Sequence, residues 1–575
     1  MRVSMDVPAP VRSLTEPAER AYGRLEEALF SSLGVTLACG LAVMAVIGLI
    51  LGATWPATTA DEGTALSTAK AALGGTQQWI EMLAPPLQVA VYVPFFIFGH
   101  PELATVVPAL FAALLLVLVV AVAWRVTGML WAGAMSGLLL LSSAEYWHRS
   151  FLLPAYQMFV FFGYLGLALI ASACRGTRRS TALAIGGGVA LALSACSFNI
   201  GLMFLPAALL LAFAARVPWR RALLGPAVAG VLLVPFAVWH VAVAGVRNAW
   251  IYPHSFLVVE YSADLQRFRH LSDYDLLGYI TQGLPGMLLG VANIWLWLLA
   301  AVGLLVIGKT YGARVSAATV LGIVVALFPF VAVKQLPNAR YGYLLVPAIA
   351  LVAGVGLALA LQSLAQHRAG RRLLLLGASL LAVAGASAAV SIHLDEVRAE
   401  QGSLRNTELR DMASRIDDDR AVLGRASYLQ VLLPDNQVYS PLFLSEAEYL
   451  DYVLWEDEGK ALQLFGDRDI GWVMFQKPVW KWERTFNEWA FRETGQPPRY
   501  FVCLPQSAGF TEVYDGENFA LYKVDEGWLE SGSASGSCPV TLCELQSLPG
   551  DWRLQPGLEP GLESGQVADG NYYCD

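Results

Sequence analysis

Two adjacent carboxylates, Asp61 and Glu62, stand a few residues beyond the first long apolar run of the chain, Ser31 to Ala53. An aspartate just outside a membrane can serve as general base on an acceptor hydroxyl, or hold a hard divalent cation such as Mg²⁺ or Mn²⁺ through oxygen. A local role competes with both. Thr59 or Asp61 can cap the helix-forming stretch EGTALSTAKAAL, whose positive end favours acidic side chains. Further candidates lie downstream: His148 beside Arg149, then Lys334, Arg340 and Tyr341, and the stretch 244–284 with Tyr252, His254, Glu260, Tyr261, Arg267 and Arg269. The cations can neutralise a phosphate or snorkel toward headgroups. His148 reads as a phosphate or metal contact or as a hydrogen-bonded interfacial residue. The stretch 244–284 reads as an acceptor or donor contact or as an amphipathic surface segment. Trp480, Trp482 and Trp489 can stack on sugars, sit at a bilayer surface, or line the buried face of a helix.

The elements that must carry these residues are largely transmembrane. Of 575 residues, 56% are hydrophobic and 15% charged, and the mean hydropathy is +0.52, outside the range of soluble globular chains. Spans need about 20 apolar residues because hydrocarbon satisfies no backbone polar group. About eleven spans are predicted: 31–53, 105–123, 129–143, 154–173, 181–195, 197–215, 222–243, 285–307, 315–333, 343–363 and 373–392. Residues 85–99 are short and proline-rich, and are read as a juxtamembrane or dipping helix on the outer side. Basic clusters at Arg125, Arg175 to Arg179, Arg216 to Arg221, Lys309 with Arg314, and Arg368 to Arg372 mark the cytoplasmic face. That orientation puts residues 1–30 in the cytoplasm and loops 54–104 and 244–284 on the outside, with the shorter turns 144–154 and 334–342.

Charge divides the chain at about residue 392. Residues 1–392 hold 23 basic and 14 acidic groups and residues 393–575 hold 15 and 32, a balance of +9 against −17 that sums to −8. An acidic tail does not suit nucleic acid. Helices are predicted at 403–416, 445–463 and 480–495, and strands at 436–440, 470–476, 500–504 and 519–524, giving a small extracytoplasmic α/β domain over 393–525. Residues 526–575 are rich in Ser, Gly and Pro and read as flexible tail. Cys503, Cys538, Cys543 and Cys574 allow two disulfides in three pairings outside the cytoplasm.

The order of several motifs resembles the protein O-mannosyltransferase and lipid A aminoarabinose transferase group of GT-C glycosyltransferases. They are Asp61-Glu62 in the first outer loop, Pro85-Pro86-Leu87 leading to Phe98-Gly99, Gly128 in the second connection, Arg149-Ser150 before Phe159-Val160-Phe161-Phe162, and Lys334 to Arg340-Tyr341 before Pro347. The resemblance covers most of 31–392 and implies sugar transfer from a polyprenyl-phosphate donor to a lipid, glycan or protein hydroxyl. It implies Asp61 as base or metal ligand (Mg, Mn or Zn) and Glu62 as its orienting partner. Arg149, Lys334, Arg340 and Tyr341 would be the donor-phosphate contacts. The family commonly has an acidic residue before the aromatic run, where this chain reads Pro154-Ala155-Tyr156-Gln157. A two-carboxylate metal site then requires Glu145.

No phosphate-binding Gly-Lys-Ser/Thr loop, HExxH, CxxC or dinucleotide fingerprint occurs, so no nucleotide cofactor is expected. A secondary transporter or lipid-linked-sugar flippase coupling ions through Asp61 or Glu62 is the alternative, and a non-catalytic assembly or sensor protein a third. Transporters, however, place ionisable groups at the bilayer midplane and carry internal repeats. Here the charges gather in the outer loops and no repeat is evident.

Overall fold

A computed structural model of the chain describes residues 60–74, 85–150, 156–174, 180–214, 223–248, 292–329, 342–363, 402–424, 429–439, 444, 446–455, 458–476, 500–507 and 509–531, with scattered helical positions at 285–289 and 377–399. The protein is a polytopic helical membrane protein. Its first described elements are α1 (Ala60–Leu73) and α2 (Pro86–Ile97). They are followed by α3 (Val106–Thr127), α4 (Leu130–Leu141), a short α5 (Ala144–Ser150), α6 (Tyr156–Ala173) and α7 (Ser180–Ser197). Next come α8 (Phe204–Ala214), α9 (Leu224–Asn248), α10 (Ile294–Tyr311), α11 (Ala313–Pro329) and α12 (Val346–Ser363).

Five stretches among the described residues are long and apolar enough to cross a bilayer: Pro101–Thr127, Tyr156–Ala173, Ser180–Ser197, Ile294–Tyr311 and Tyr343–Gln362. Eighteen residues of helix rise about 27 Å, close to the thickness of the hydrocarbon layer. The bundle is held by small residues at its crossings, since apolar side chains gain little from leaving lipid for protein. α10 and α12 pack so closely that a Cβ on Gly303 would meet the Val352 carbonyl, and one on Gly356 would meet the Gly303 backbone. Gly128 closes α3 in the left-handed region at φ 72°, its amide donating to the Trp124 carbonyl, and so permits the tight return into α4.

Most expected spans coincide with observed helices to within a few residues. One does not: residues 285–307 are interrupted at 292–293, because Asn293 is extended and its side chain accepts from Leu296 N at 2.9 Å, starting α10 at Ile294. Segment 85–99 is the 12-residue α2, with Pro94 inside, packed on α1. The span expected at 31–53 lies outside the described residues, and so does about half of the one expected at 373–392.

The C-terminal part is built on a five-stranded sheet in the order β2-β1-β3-β5-β4. Its strands are β1 (Ala421–Leu423), β2 (Val438–Tyr439), β3 (Ile470–Gln476), β4 (Phe510–Asp515) and β5 (Phe519–Val524). β1 is parallel to β2 and β3, whereas β3, β5 and β4 alternate in direction. β3 is central and covered on both faces, as its apolar run IGWVMFQ requires. Trp472 and Met474 point to one core with Leu409, Met412 and Phe519. Val473 and Phe475 point to the other, with Tyr452, Phe465 and Tyr500.

Three expectations change here. Residues 500–504 are helical, within α16 (Tyr500–Gln506), because the run pairs with no strand and instead lays Tyr500, Cys503 and Leu504 into the second core. The helix expected at 445–463 is two, α14 (Glu446–Leu454) and α15 (Glu458–Asp467), separated where Trp455 takes φ 50° to bury its ring. The helix α13 is Leu404–Ala413, capped by the Ser403 hydroxyl accepting from Asn406 N. Residues 480–495, with all three tryptophans, lie outside the described residues. Glu526–Ser531 forms α17, so the first residues of the expected flexible tail are helical, and the rest of it lies outside the described residues. Cys503 is disulfide-bonded, and its partner lies outside the described residues.

Candidate active site

The short helix α5 connects two apolar helices and carries a polar cluster. Glu145 and Arg149, one turn apart, form an ion pair with Nε donating to Oε1 at 2.6 Å, both side chains about nine-tenths buried. Tyr156, at the start of α6, places its ring 5.1 Å from the guanidinium. Among the described residues neither terminal nitrogen of Arg149 has a hydrogen-bond partner. A buried guanidinium tied down through Nε and open at its fork suits a further anion, because the fork matches phosphate oxygens.

α5 is fixed from several sides. The Tyr146 hydroxyl donates to the Ala112 carbonyl of α3 at 2.8 Å, and Trp147 Nε1 donates to the Leu141 carbonyl at 2.7 Å. Burial pushes the Tyr146 hydroxyl well above its ordinary range, outweighing the opposing Ser150 contact, so it remains a donor. Ser150 Oγ donates to the Tyr146 carbonyl, and the fully buried Gln157 donates to that same carbonyl and to Ser150 Oγ. Gln157 Oε1 accepts from the Tyr343 hydroxyl at 2.6 Å. Tyr343 follows closely on the sequence that carries Lys334, Arg340 and Tyr341. The connection is reinforced by Tyr164, whose hydroxyl donates to the Leu344 carbonyl at 2.8 Å.

His148 lies beside this cluster with its ring edge-on to that of His393, centroids 6.4 Å apart. Burial, and secondarily the charge of Arg149, holds its pKa down at about 4. Near neutral pH this environment favours the uncharged imidazole.

The other candidates are placed unevenly. Asp61 and Glu62 occupy the first turn of α1, where the helix dipole favours their charge; their side chains lie outside the described residues. So do Lys334, Arg340, Tyr341, His254, Glu260 and Arg267, as well as Thr59, on which the alternative capping role rests. Among the described residues no three His, Cys, Asp or Glu side chains come together as a metal site. Glu145, the carboxylate a two-acid site would need, is committed to Arg149. The described side chains by themselves therefore assemble no metal site. The sequence marks Gln157 only as part of a stretch that lacks a carboxylate, and it does not mark Tyr343, whose role shows only through its hydrogen bond to Gln157.

Comparison with solved structures bears on the whole arrangement. The aminoarabinose transferase ArnT from Cupriavidus metallidurans, bound to undecaprenyl phosphate, superposes with a TM-score of 0.57 over 88% of this chain and 100% of its own, at 16% identity. The chain shares the fold of this GT-C glycosyltransferase. The GT-C oligosaccharyltransferase of Archaeoglobus fulgidus in its apo form superposes with a TM-score of 0.51 over 85% of this chain and 74% of its own, at 13% identity. The sequence matches no family model and no curated protein. At such identities, the GT-C likeness is one of fold. It agrees with the polytopic helical architecture of the described residues.

Proposed function

We propose that this chain is a membrane glycosyltransferase that moves a sugar from a polyprenyl-phosphate donor to an acceptor hydroxyl of a lipid, glycan or protein on the extracytoplasmic face. The observation that carries the reading is the shared GT-C fold over 88% of the chain with a structure holding undecaprenyl phosphate. The buried Glu145–Arg149 pair supports it independently as a preorganised anion site.

In this reading the donor chain lies among the helices, and its phosphate meets the open fork of Arg149 together with Lys334, Arg340 and Tyr341. Glu145 and Tyr156 hold the guanidinium in place, so little reorganisation is needed as charge builds on the leaving phosphate. Asp61 takes the proton of the acceptor hydroxyl while Glu62 orients it. The acceptor oxygen then bonds to the anomeric carbon from the face opposite the phosphate, the carbon–oxygen bond to phosphate breaks, and polyprenyl phosphate leaves. The product is inverted at that carbon, and the sugar is a hexose or pentose. A cation about 4 Å from a phosphate oxygen at an effective dielectric of about 20 contributes about 4 kcal/mol, on the order of a thousandfold in rate if realised in the transition state.

The same reading assigns about eleven spans, an N-terminus in the cytoplasm, a C-terminal domain outside, and residence in a bacterial plasma membrane. The basic clusters and the oxidised Cys503 support that orientation. Turnover of labelled polyprenyl-phosphate sugars by the full chain in nanodiscs, with a lipid extract as acceptor, tests it. Release of polyprenyl phosphate by the wild type that is lost in a folded Asp61→Asn supports the transferase. Equal release by both removes Asp61 from the chemistry, and movement of intact donor across the bilayer without release favours the flippase.

A further inference from the structure

Helix α1, which bears Asp61 and Glu62 in its first turn, is held at its far end by the C-terminal domain. Lys70 Nζ donates to the Pro434 carbonyl at 2.7 Å, across 364 residues of sequence. Gln437 Nε2 donates to the Ser67 carbonyl at 3.3 Å. Val431 packs against the small cluster formed by Leu66 and Ala69 of α1 with Tyr92 of α2. The same ammonium of Lys70 sits 5.9 Å from the centre of the Phe96 ring, so one side chain joins α1, α2 and the domain.

The partner segment, 429–437, is the crossover between β1 and β2, and it is rigidly built. Fully buried Gln430 donates to the carbonyls of Leu433 and Asn436 and accepts from Val438 N. Asn436 Nδ2 donates to the carbonyls of Asp418 and Arg420, on the chain entering β1. The crossover therefore moves with the sheet. A continuous helix transmits that constraint: Asp61 lies nine residues before Lys70, about 13 Å along the axis.

We infer that Lys70 and Gln437 are positioning residues, forming a latch through which the C-terminal domain sets the pose of the Asp61-bearing helix for transfer. The inference rests on Asp61 being the base of the proposed transferase. The latch lets a domain distant in sequence govern the chemical step without touching the reacting atoms, and makes that step sensitive to whatever binds the domain.

The test compares full-length wild type, Lys70→Met, Lys70→Arg and Gln437→Leu in nanodiscs. Methionine keeps the apolar stem but removes the donor, and arginine restores a donor. Two readouts are needed: amide hydrogen exchange of residues 60–73, and kcat and KM for a polyprenyl-phosphate sugar. The latch predicts at least a tenfold rise in exchange over 60–73 in Lys70→Met and Gln437→Leu. It also predicts about a tenfold fall in kcat with donor KM within twofold, an unchanged melting temperature, and recovery of both readouts in Lys70→Arg. Unchanged exchange overturns the latch whatever the activity. Raised exchange with unchanged kcat overturns the positioning role, and a joint fall of kcat, donor affinity and melting temperature reduces the contact to scaffolding. A wild type that releases no polyprenyl phosphate while Lys70→Met still loosens the helix overturns the transferase reading and leaves the mechanical latch standing.

Discussion

Helix α5 and helix α1 both carry charged residues that the motif order marks, yet they are held in opposite ways. α5 is seven residues long and secured by its neighbours in the bundle: Tyr146 to Ala112, Gln157 to Ser150 and Tyr343, Arg149 to Glu145 and Tyr156. α1 is twice as long, and its long-range hydrogen bonds run instead to the crossover of a separate sheet. The difference suggests a division of labour. A donor phosphate gains most from a cation that does not move, since preorganisation is what stabilises developing charge. An acceptor base serves better on an element whose pose follows the domain that meets the acceptor.

The most severe way to break this comparison is to unbalance the α5 pair. Glu145→Ala leaves the Arg149 charge buried and unpaired, which costs about 3–5 kcal/mol, and thermal unfolding in detergent should show a marked loss of stability. The double variant Glu145→Gln with Arg149→Met removes both charges and should recover most of that loss while remaining inactive. If Glu145→Ala melts like the wild type, the pair is not buried in the working protein.

A smaller effect is expected from Gln157→Leu, which strands the Tyr343 hydroxyl and removes the amide donor to Ser150 Oγ. Leaving such buried groups unsatisfied costs about 1–3 kcal/mol, and donor KM should rise because Tyr343 no longer fixes the chain just after Tyr341. A change in stability without a change in KM would separate Gln157 from the donor site.

The mildest test uses pH. His148 has its pKa held down at about 4 against an ordinary 6.5. The folded state therefore favours the neutral ring, and this contribution is fully present above pH 6.5. Between pH 6.5 and 4 the unfolded chain binds the proton that the folded chain resists, so stability falls as pH falls, by up to about 3 kcal/mol from this group. The groups facing the ring are Arg149 and His393. Burial also holds the His393 pKa down at about 4, so His148→Gln should reduce the slope of the melting-temperature profile in that window, leaving the His393 share, and leave the profile unchanged at pH 7.5. An identical profile would assign the acid sensitivity elsewhere.

Much of this architecture is legible in the sequence for physical reasons. Long apolar runs announce the spans, and the continuous apolar run IGWVMFQ announces a strand buried on both faces. Arg149 stands out because an arginine next to an apolar run needs a partner. Other features resist reading. β1 has three residues and β2 two, too short for periodicity to register. Tyr500 to Leu504 is apolar enough for a strand, and only the absence of a pairing partner makes it helix. Trp455 breaks a helix without glycine or proline, driven by burial of its ring. Gln157 became visible only through its partners, and the Lys70–Pro434 contact joins residues that no local pattern connects.

The central claim is that the two helices divide the reaction, with α5 holding the donor phosphate and α1 supplying the base. The most direct measurement is equilibrium binding of polyprenyl phosphate to the full chain in nanodiscs for wild type, Asp61→Asn and the folded Glu145→Gln with Arg149→Met double variant. If α5 holds the phosphate, Asp61→Asn binds within about threefold of wild type and the double variant binds at least about a hundredfold more weakly, given about 4 kcal/mol for such a cation. Wild-type affinity in the double variant, or equal losses in both, would contradict it.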